Sequence, residues 1–457
     1  MLALVTLRRV GRWSRDWYRT RPDRPPVDAP ADEVRRRYER LRWGVFAGTT
    51  FGYGVFYVCR LALSVAKKPL IDAGILDAEE LGLIGSALLF TYAIGKFANG
   101  LIADRSHIGR LMATGLAVSA LTNLAAGLQA SFLVFVVLWA ANGWAQSTGA
   151  APSVVALSHW FSNRERGTRY GIWSVAHGLG EGFTFVATAA VVAAFGWRWG
   201  FFCSGALGLL AAVAILRLVA DRPQSYGLPA VAEFKNDHAP LPEAHSSVGA
   251  LQLEVLQNPA IWVLGVSAAL MSVARYAINN WGIFYLQVFK GYELVDAGTV
   301  LASFPIIGMV GAASAGLVSD RVFGSRRNVP TLLFGLLQIA GLAAFLRIPA
   351  GHMLWDAVAL AVFGFALNGL LVFLGGLTAV DIAPKRAAGA AMGFIGLWSY
   401  VGAAIQDWLS GALIEHGHRH AGAALAYDFS TVTNVWLGAA IAAVVLSLTI
   451  WNVKARD

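Results

Sequence analysis

Residues 100–105 read Gly-Leu-Ile-Ala-Asp-Arg at the end of a long apolar run, and residues 316–321 read Gly-Leu-Val-Ser-Asp-Arg at the end of another. Three glycines of the first half, Gly167, Gly171 and Gly180, recur in the second half as Gly389, Gly393 and Gly402. Both sets of copies lie at nearly the same offset along the chain. The chain is therefore predicted to contain two halves of similar fold, related by an internal repeat.

The composition around these repeats indicates a membrane protein. Of the 457 residues, 57% are hydrophobic and only 14% are charged, whereas soluble globular chains have about 25% charged residues. Apolar runs of about 20 residues, each long enough to cross a bilayer, occupy residues 44–66, 81–103, 111–129, 132–158, 168–195, 198–219, 259–288, 296–319, 328–348, 353–380, 387–414 and 430–451. We predict an all-α membrane protein with twelve transmembrane helices in two pseudo-symmetric six-helix bundles.

Residues 221–257 interrupt this pattern because they are polar and contain four prolines. Such a segment is typical of a linker. The predicted organisation is a cytoplasmic arm (1–42), a six-helix bundle (43–220), a cytoplasmic linker (221–257), a second six-helix bundle (258–452) and a cytoplasmic tail (453–457).

The basic residues predict the orientation of the chain in the membrane. The arm alone holds twelve arginines, and most of the other basic residues fall in loops on the same side. The opposite side keeps Lys67, Lys68, Arg198, Lys290, Arg347 and Arg419. By the positive-inside rule both termini are cytoplasmic. The net charge of +9 thus reflects topology, and no nucleic-acid partner is expected.

Arg60 and Arg275 are the residues that most clearly indicate a binding site. A cation at the centre of a transmembrane helix costs about 2.5–3.5 kcal/mol, so each needs water, a carboxylate or an anionic ligand. They occupy equivalent positions in the two halves, and two guanidiniums offer bidentate forks to phosphate oxygens. The alternative for Arg60 is that it snorkels outward, towards Lys67 and Lys68.

Further polar residues lie near these arginines in the predicted helices. Lys96 lies inside the second span, and an anion would offset the cost of burying its charge. Tyr92 shares a helical face with Lys96, and Tyr53 and Tyr57 share a face with Arg60. Asn279, one turn after Arg275, completes the predicted substrate-binding set, although any single tyrosine can be a packing residue.

His177 and Glu181 lie one turn apart in the fifth span. They form either a proton-titrating couple, since histidine switches charge near neutral pH, or a pair in which His177 donates to the substrate and Glu181 positions it. A structural pair between helices is the third possibility. Gln406 and Asp407 are weaker candidates, because a carboxylate repels an anionic ligand unless it is paired.

The repeated loops carry Asp104 with Arg105 and Asp320 with Arg321, each just past a helix C-terminus. There a carboxylate can accept hydrogen bonds from a neighbouring helix N-terminus and pair with arginine. We predict that these four residues form a cytoplasmic gate, with an ordinary charged turn as the alternative. No phosphate-binding Gly-Lys-Ser/Thr loop, metal cluster or nucleophile arrangement occurs, so no enzymatic activity, metal or cofactor is predicted.

The chain resembles the major facilitator superfamily, whose members carry Gly-Leu-x-x-Asp-Arg between the second and third spans. Within it, the chain resembles the organophosphate:phosphate antiporters, which include glycerol-3-phosphate and hexose-phosphate transporters and a related sensor. The matching residues are Tyr38–Trp43, Gly52–Tyr53, Tyr57, Arg60, Tyr92, Lys96, Asp104–Ser106, Glu165–Gly167, His177, Asp221–Gln224, Gly227–Pro229, Arg275 and Trp281. The resemblance implies that Arg60 and Arg275 bind the phosphoryl group, with Lys96 and His177 nearby.

Two departures leave the substrate open. Leu61 follows Arg60 where family members commonly have lysine, and residues 174–181 lose two amides of the family pattern and gain Glu181. The resemblance implies an inner-membrane exchanger of a small phosphate ester (sugar phosphate, glycerol phosphate or phosphoglycerate) for inorganic phosphate. Two alternatives remain: a sugar-phosphate sensor that acts through a kinase partner, and a proton-coupled organic anion symporter.

Overall fold

The predicted spans are helical in the computed structural model, which describes residues 16–103, 105–237, 248–324, 327–383, 388–421, 424–451 and 453. The first six spans are Ala31–Asp72, Ala78–Ala103, Ile108–Leu128, Phe132–Gln146 with Ala150–Trp160, Asn163–Phe195 and Trp197–Leu218. The second six are Pro259–Val288, Leu294–Val322, Asn328–Arg347, Met353–Ile382, Ala388–His416 and Ser430–Leu448. The prediction of twelve transmembrane helices in two six-helix bundles is confirmed for these residues.

Shorter elements connect the spans. A 3-10 helix, Pro223–Tyr226, and the helices Val231–Phe234 and Val248–Gln257 lie between the two halves. Two short antiparallel strands, His418–Ala421 and Ala424–Tyr427, form a hairpin before the last span. The first span begins at Ala31, inside the segment predicted as an arm, and the domain boundaries stay predictions.

Local sequence explains where several helices begin and where they are irregular. Ser162 and Glu165 form a capping box at the start of the fifth span, and Asn258 caps the seventh, which has Pro259 at its first position. The fourth span is divided by a turn at residues 147–149, and π-helical segments interrupt the fifth at Thr184–Thr188 and the tenth at Phe373–Leu377. Such π segments locally change which side chains face a neighbouring helix.

The helices have the composition that a bilayer requires. Ten of the helices in the described residues are long and apolar enough to cross a membrane. The eleventh span, Ala388–His416, is not among these ten, and neither half of the divided fourth span reaches that length alone. Helices satisfy their own backbone hydrogen bonds, which is why they are stable in lipid. The chain is a multi-pass membrane protein.

The two halves are in close contact at one end of the molecule. The second span packs against the eleventh and the fifth against the eighth, and small residues let the backbones approach. A Cβ atom on Gly82 would lie 2.6 Å from the carbonyl oxygen of Asp407, and one on Gly411 would lie 2.4 Å from that of Ala78. We call this the closed end.

The same helical faces separate at the other end. Gly167, Gly171, Gly178 and Gly182 share one face of the fifth span because their spacing follows the helical period. Cβ atoms on Gly178 and Gly182 would meet side chains of the eighth span, whereas Cβ atoms on Gly167 and Gly171 would meet no described atom within 4 Å. The cleft between the halves therefore opens towards the start of the fifth span.

The eleventh span shows the same change along its length. Gly411 contacts Gly82 of the second span, while Cβ atoms on Gly389 and Gly393 would have no described atom within 4 Å. We call this the open end. Residues 16–30 run along it, since the Tyr18 carbonyl accepts from His107 N (2.7 Å) and Arg24 N donates to the Gln224 carbonyl (3.0 Å).

We expect Gly82→Ala to destabilise the protein by about 1–3 kcal/mol, because the added methyl group meets backbone of the eleventh span that cannot move aside. Gly393→Ala, at the open end, is the matched control and is expected to leave the unfolding temperature unchanged. Thermal unfolding in detergent measures both. Equal unfolding temperatures for the two variants would contradict the assignment of closed and open ends.

Candidate binding site between the halves

Arg60 lies in the first span with only 7% of its surface exposed. Its guanidinium carbon is 4.8 Å from the ring centre of Tyr57 and 4.4 Å from that of Tyr92. Within the described part of the chain it forms no ion pair, and its Nε and Nη1 atoms are buried without a hydrogen-bond acceptor. The aromatic faces offset part of the cost of burying the cation, but its donors are left for an anion.

Arg275 lies in the seventh span and has a carboxylate partner. Its Nη2 atom is 3.4 Å from Oε1 of Glu181, and the two side chains are 12% and 4% exposed. The Nε atom of Arg275 is buried without an acceptor. The side chain of Asn279 lies near the Glu181 carboxylate. The pair joins the fifth span of the first half to the seventh span of the second.

Tyr400 of the eleventh span links these cations. Its ring centre lies 4.4 Å from that of Tyr92 and 6.0 Å from that of Tyr276. The Nζ atom of Lys96 lies 5.2 Å from the same ring centre. The guanidinium carbon of Arg275 lies 5.6 Å from the ring centre of Tyr276, and that of Arg60 lies over Tyr92. Arg60, Lys96 and Arg275 thus converge on one aromatic cluster.

Sequence reasoning did not identify Tyr400 or Tyr276 as part of this cluster. The repeat gives no signal for Tyr400, because the equivalent position in the first half is Gly178. Tyr276 is adjacent to Arg275 in sequence, and this adjacency was the one available clue. Since each half contributes only some of the rings, the cluster is defined by packing and not by spacing along the chain.

The remaining predicted site residues lie on the first and fifth spans. Tyr53 stacks on Trp173 with ring centres 4.6 Å apart and lies 5.5 Å from Tyr57. The ring of Tyr57 is 5.7 Å from that of His177, and Nδ1 of His177 contacts the Ser174 carbonyl of its own helix. Tyr53, Tyr57 and His177 therefore form one wall of the region that contains Arg60.

His177 and Glu181, which the sequence predicts as a pair, have different neighbours in the structure, and a proton-coupling role for the two stays a prediction. Among the described residues, Glu181 contacts Arg275 and Asn279, and His177 contacts Tyr57 and Ser174. A helical repeat puts the two side chains on one face but does not decide which neighbour each one reaches. The two groups share the site without forming a direct couple.

Lys67, expected from the sequence at the external surface, is instead buried between the halves. Its Nζ atom is 3.4 Å from Oδ1 of Asp407, and both side chains are 1% exposed. Asp407 also accepts hydrogen bonds from Trp281 Nε1 (2.6 Å) and Asn280 Nδ2 (3.0 Å). Gly85 leaves room for the carboxylate, since a Cβ there would lie 1.8 Å from Oδ2.

This ion pair occupies the closed end, two helical turns beyond Arg60. A small cavity beside the pair is lined by residues that include Arg60, Ser64, Lys67, Tyr276 and Asp407. The pair joins the first span to the eleventh, one from each half. Asp407, a weak candidate from the sequence, thus has a cation and two neutral donors of its own.

The predicted gate residues lie at the open end, except that Asp104 is outside the described residues. Arg105 and Arg321 are exposed. Asp320 accepts from Arg327 Nη1 (2.7 Å), and Arg327 Nε is 3.0 Å from Asp381 Oδ2. The second copy of the loop is therefore tied to the tenth span within its own half. A role in closing this end stays a prediction.

Comparison with known proteins gives consistent matches over most of the chain. A family model described as Major Facilitator Superfamily matches residues 49–406. The chain is 31% identical over 402 residues to the membrane sensor protein UhpC of Escherichia coli strain K12, which covers 86% of this chain and 91% of that protein. It is 33% identical over 400 residues to a probable hexose phosphate transport protein of Chlamydia muridarum (82% and 87% covered). It is 32% identical over 375 residues to a glycerol-3-phosphate transporter of Bacillus subtilis (80% and 84% covered).

Solved structures share the fold. A bacterial homologue of the human lysosomal transporter Spinster, in an inward-facing and unoccupied conformation, superposes with a TM-score of 0.68 at 15% identity, covering 90% of this chain and 95% of that one. The nucleoside transporter NupG superposes with a TM-score of 0.65 at 14% identity, covering 90% and 98%.

We expect Lys67→Met to lower the free energy of unfolding by about 3–5 kcal/mol, because it leaves the Asp407 carboxylate buried without its cation. The double variant Lys67→Met/Asp407→Asn is expected to recover most of this loss. Chemical denaturation in detergent micelles measures both.

The neighbouring lysine provides the matched control. Lys68 pairs with Asp72 at the surface, where the side chains are 32% and 58% exposed, so Lys68→Met is expected to cost less than about 1 kcal/mol. Similar losses for Lys67→Met and Lys68→Met would show that the buried pair has no special role in stability.

Proposed function

The chain belongs to the Major Facilitator Superfamily, and from this premise we propose that it is a secondary active transporter that exchanges a small organophosphate for inorganic phosphate by alternating access. Its relatives carry the names of sugar-phosphate, glycerol-phosphate and phosphoglycerate transporters and of a sensor. The chain is not an enzyme. The exchange of an organophosphate for inorganic phosphate goes beyond these names and is our proposal.

The observation that carries the proposal is the buried Arg60 guanidinium, which forms no ion pair in the part of the chain that the structure describes. Lys96 and Arg275 meet it around Tyr400. A phosphoryl dianion can accept bidentate hydrogen bonds from guanidinium groups. Occupancy by such an anion would remove the unfavourable burial of cationic charge that the empty site carries.

The cleft supplies the route for alternating access. It opens at the end where residues 16–30 lie and is closed at the other end by the glycine contacts and the Lys67–Asp407 pair. Exposing the site on the other side requires the two halves to rock about the central level. Without an anion this closure brings three cations together in a confined space, so an empty carrier crosses poorly and exchange is favoured.

We place the protein in the cell inner membrane with both termini and the 221–257 linker in the cytoplasm. The support is the concentration of basic residues on that side. The structure then corresponds to an inward-open conformation, since the open end carries the arm. Lipid bilayer, phosphate ester and inorganic phosphate are the proposed partners.

A second candidate function is a membrane sensor that binds a sugar phosphate and signals through a kinase partner. The specific observation in its favour is the 31% identity to UhpC over 91% of that protein. A sensor and a transporter can share the same binding site. They differ in whether the ligand-bound protein releases its ligand on the other side of the membrane.

The orientation predicts the behaviour of C-terminal fusions. Green fluorescent protein joined after residue 457 is expected to fluoresce, and alkaline phosphatase at the same place is expected to be inactive because it folds only outside the cytoplasm. An active phosphatase fusion would reverse the proposed topology.

The site predicts the effect of removing either arginine on exchange. In proteoliposomes loaded with phosphate, counterflow of labelled phosphate is expected to fall at least 100-fold in Arg60→Gln and in Arg275→Gln, because the phosphoryl group loses a charged donor. Arg60→Lys, which keeps the charge but not the fork, is expected to lose less. Arg198→Gln, an exposed position beyond the closed end, is the matched control.

Three results would redirect the proposal. Normal exchange by Arg60→Gln would remove the assigned role of this residue. Tight binding of a phosphate ester without measurable flux would favour the sensor. Uptake that needs no internal phosphate and collapses when the proton gradient is removed would favour proton-coupled symport.

A further inference from the structure

Glu181 is a buried carboxylate inside an otherwise cationic site. It is 3% exposed, lies 3.4 Å from Arg275 Nη2 and has the side chain of Asn279 nearby. Both neighbours belong to the second half, since they lie on the seventh span and Glu181 lies on the fifth. Any ligand that reaches Arg275 must therefore also approach this carboxylate.

The charges around Tyr400 suit one doubly charged anion. Three cations, Arg60, Lys96 and Arg275, lie against the rings of the aromatic cluster. Among the described residues, Glu181 is the one carboxylate that is ion-paired with any of them, and its partner is Arg275. Asp407 is neutralised separately by Lys67. With Glu181 ionised, the group retains two positive charges, which a phosphoryl dianion neutralises.

A second negative group on the ligand would have no cation left to pair with. Lys96 and Arg60 are committed to the phosphoryl group, and Arg275 is shared with Glu181. Like charges within a few ångströms repel strongly where water is excluded. A carboxylate in the organic part would therefore be held close to Glu181 at a large cost.

A hydroxyl group on the ligand, unlike a carboxylate, can interact favourably with Glu181. An ionised carboxylate is an acceptor with about four lone-pair positions, and the contacts with Arg275 and Asn279 leave some of them free. A sugar or polyol hydroxyl can donate to these positions. Sites that use buried polar groups in this way discriminate strongly between ligands that have the matching group and ligands that lack it.

We infer that Glu181 is a specificity-determining residue that restricts the cargo to phosphate monoesters with an uncharged, hydroxylated organic part, and excludes phosphate esters that also carry a carboxylate. The inference rests on the proposed function, because it concerns the organophosphate that enters the same site. Inorganic phosphate, which has no second anionic group, is accepted.

Competition against labelled phosphate counterflow in proteoliposomes tests the inference. We expect glucose 6-phosphate and glycerol 3-phosphate to compete with the wild-type protein at concentrations at least tenfold lower than 3-phosphoglycerate. In Glu181→Gln, which keeps the shape and loses the charge, this ratio, measured relative to the variant's own phosphate exchange, is expected to fall at least tenfold. Glu181→Asp, which keeps the charge, is expected to retain the exclusion and serves as the second variant if Glu181→Gln does not fold.

The control and the contrary outcomes separate this inference from the proposed function. Glu165→Gln changes the same residue type in the same helix, outside the aromatic cluster, and is expected to leave the ratio unchanged. Equal competition by 3-phosphoglycerate and glucose 6-phosphate in the wild type, or an unchanged ratio in Glu181→Gln, would overturn the role of Glu181. Loss of the ratio in Glu181→Asp would also overturn it. Absence of any phosphate exchange in the wild type would instead refute the proposed transport.

Discussion

A guanidinium buried without a carboxylate is the constraint around which the proposed site is organised. Moving such a cation to the centre of a membrane helix costs about 2.5–3.5 kcal/mol, and the faces of Tyr57 and Tyr92 recover only part of that cost. An anion bound at Arg60 would remove the rest. The free-energy cost of burying Arg60 without an anion is therefore the proposed source of the site's affinity. The rest of the fold has to be stable enough to keep Arg60 buried at that cost.

Three of the cations at the interface between the halves, Lys67, Arg275 and Arg60, differ in how far they are neutralised. Lys67 is neutralised by Asp407, whose carboxylate also accepts hydrogen bonds from Trp281 and Asn280. Arg275 is partly neutralised by Glu181. Arg60 forms no ion pair within the described chain. The neutralised Lys67–Asp407 pair thus lies at the closed end, where the halves touch. The unpaired Arg60 lies at the central level, where a ligand is proposed to bind.

The fold could be predicted because its cause is local. A run of about 20 apolar residues forms a helix in lipid whatever the rest of the chain does, and the capping box at Ser162 and Glu165 can be read directly from the sequence. Arg60 and Arg275 indicated one shared site because they occupy equivalent positions in the two halves. Irregular features, such as the break at residues 147–149, had no local signal that length and hydropathy could detect.

Side-chain partners could not be predicted, because they depend on which helices face each other and at what height. The sequence led to Lys67 at the surface, and the structure buries it against Asp407, which is 340 residues away. The sequence put Glu181 on the face of His177, and the structure turns it to Arg275. Tyr400 joined the site only because the eleventh span packs beside the second.

The sequence alone therefore determined the number of spans, the internal repeat, the predicted side of each loop and the mid-span positions of Arg60, Lys96 and Arg275. These properties follow from hydrophobic length, from similarity between segments and from where charge is tolerated in a bilayer. Tertiary structure alone decided which cations are paired, which rings surround them and which end of the cleft is open. Those properties depend on contacts between helices that are distant in sequence. The role of the small residues that permit these contacts is visible only when the backbone of the opposing helix is known.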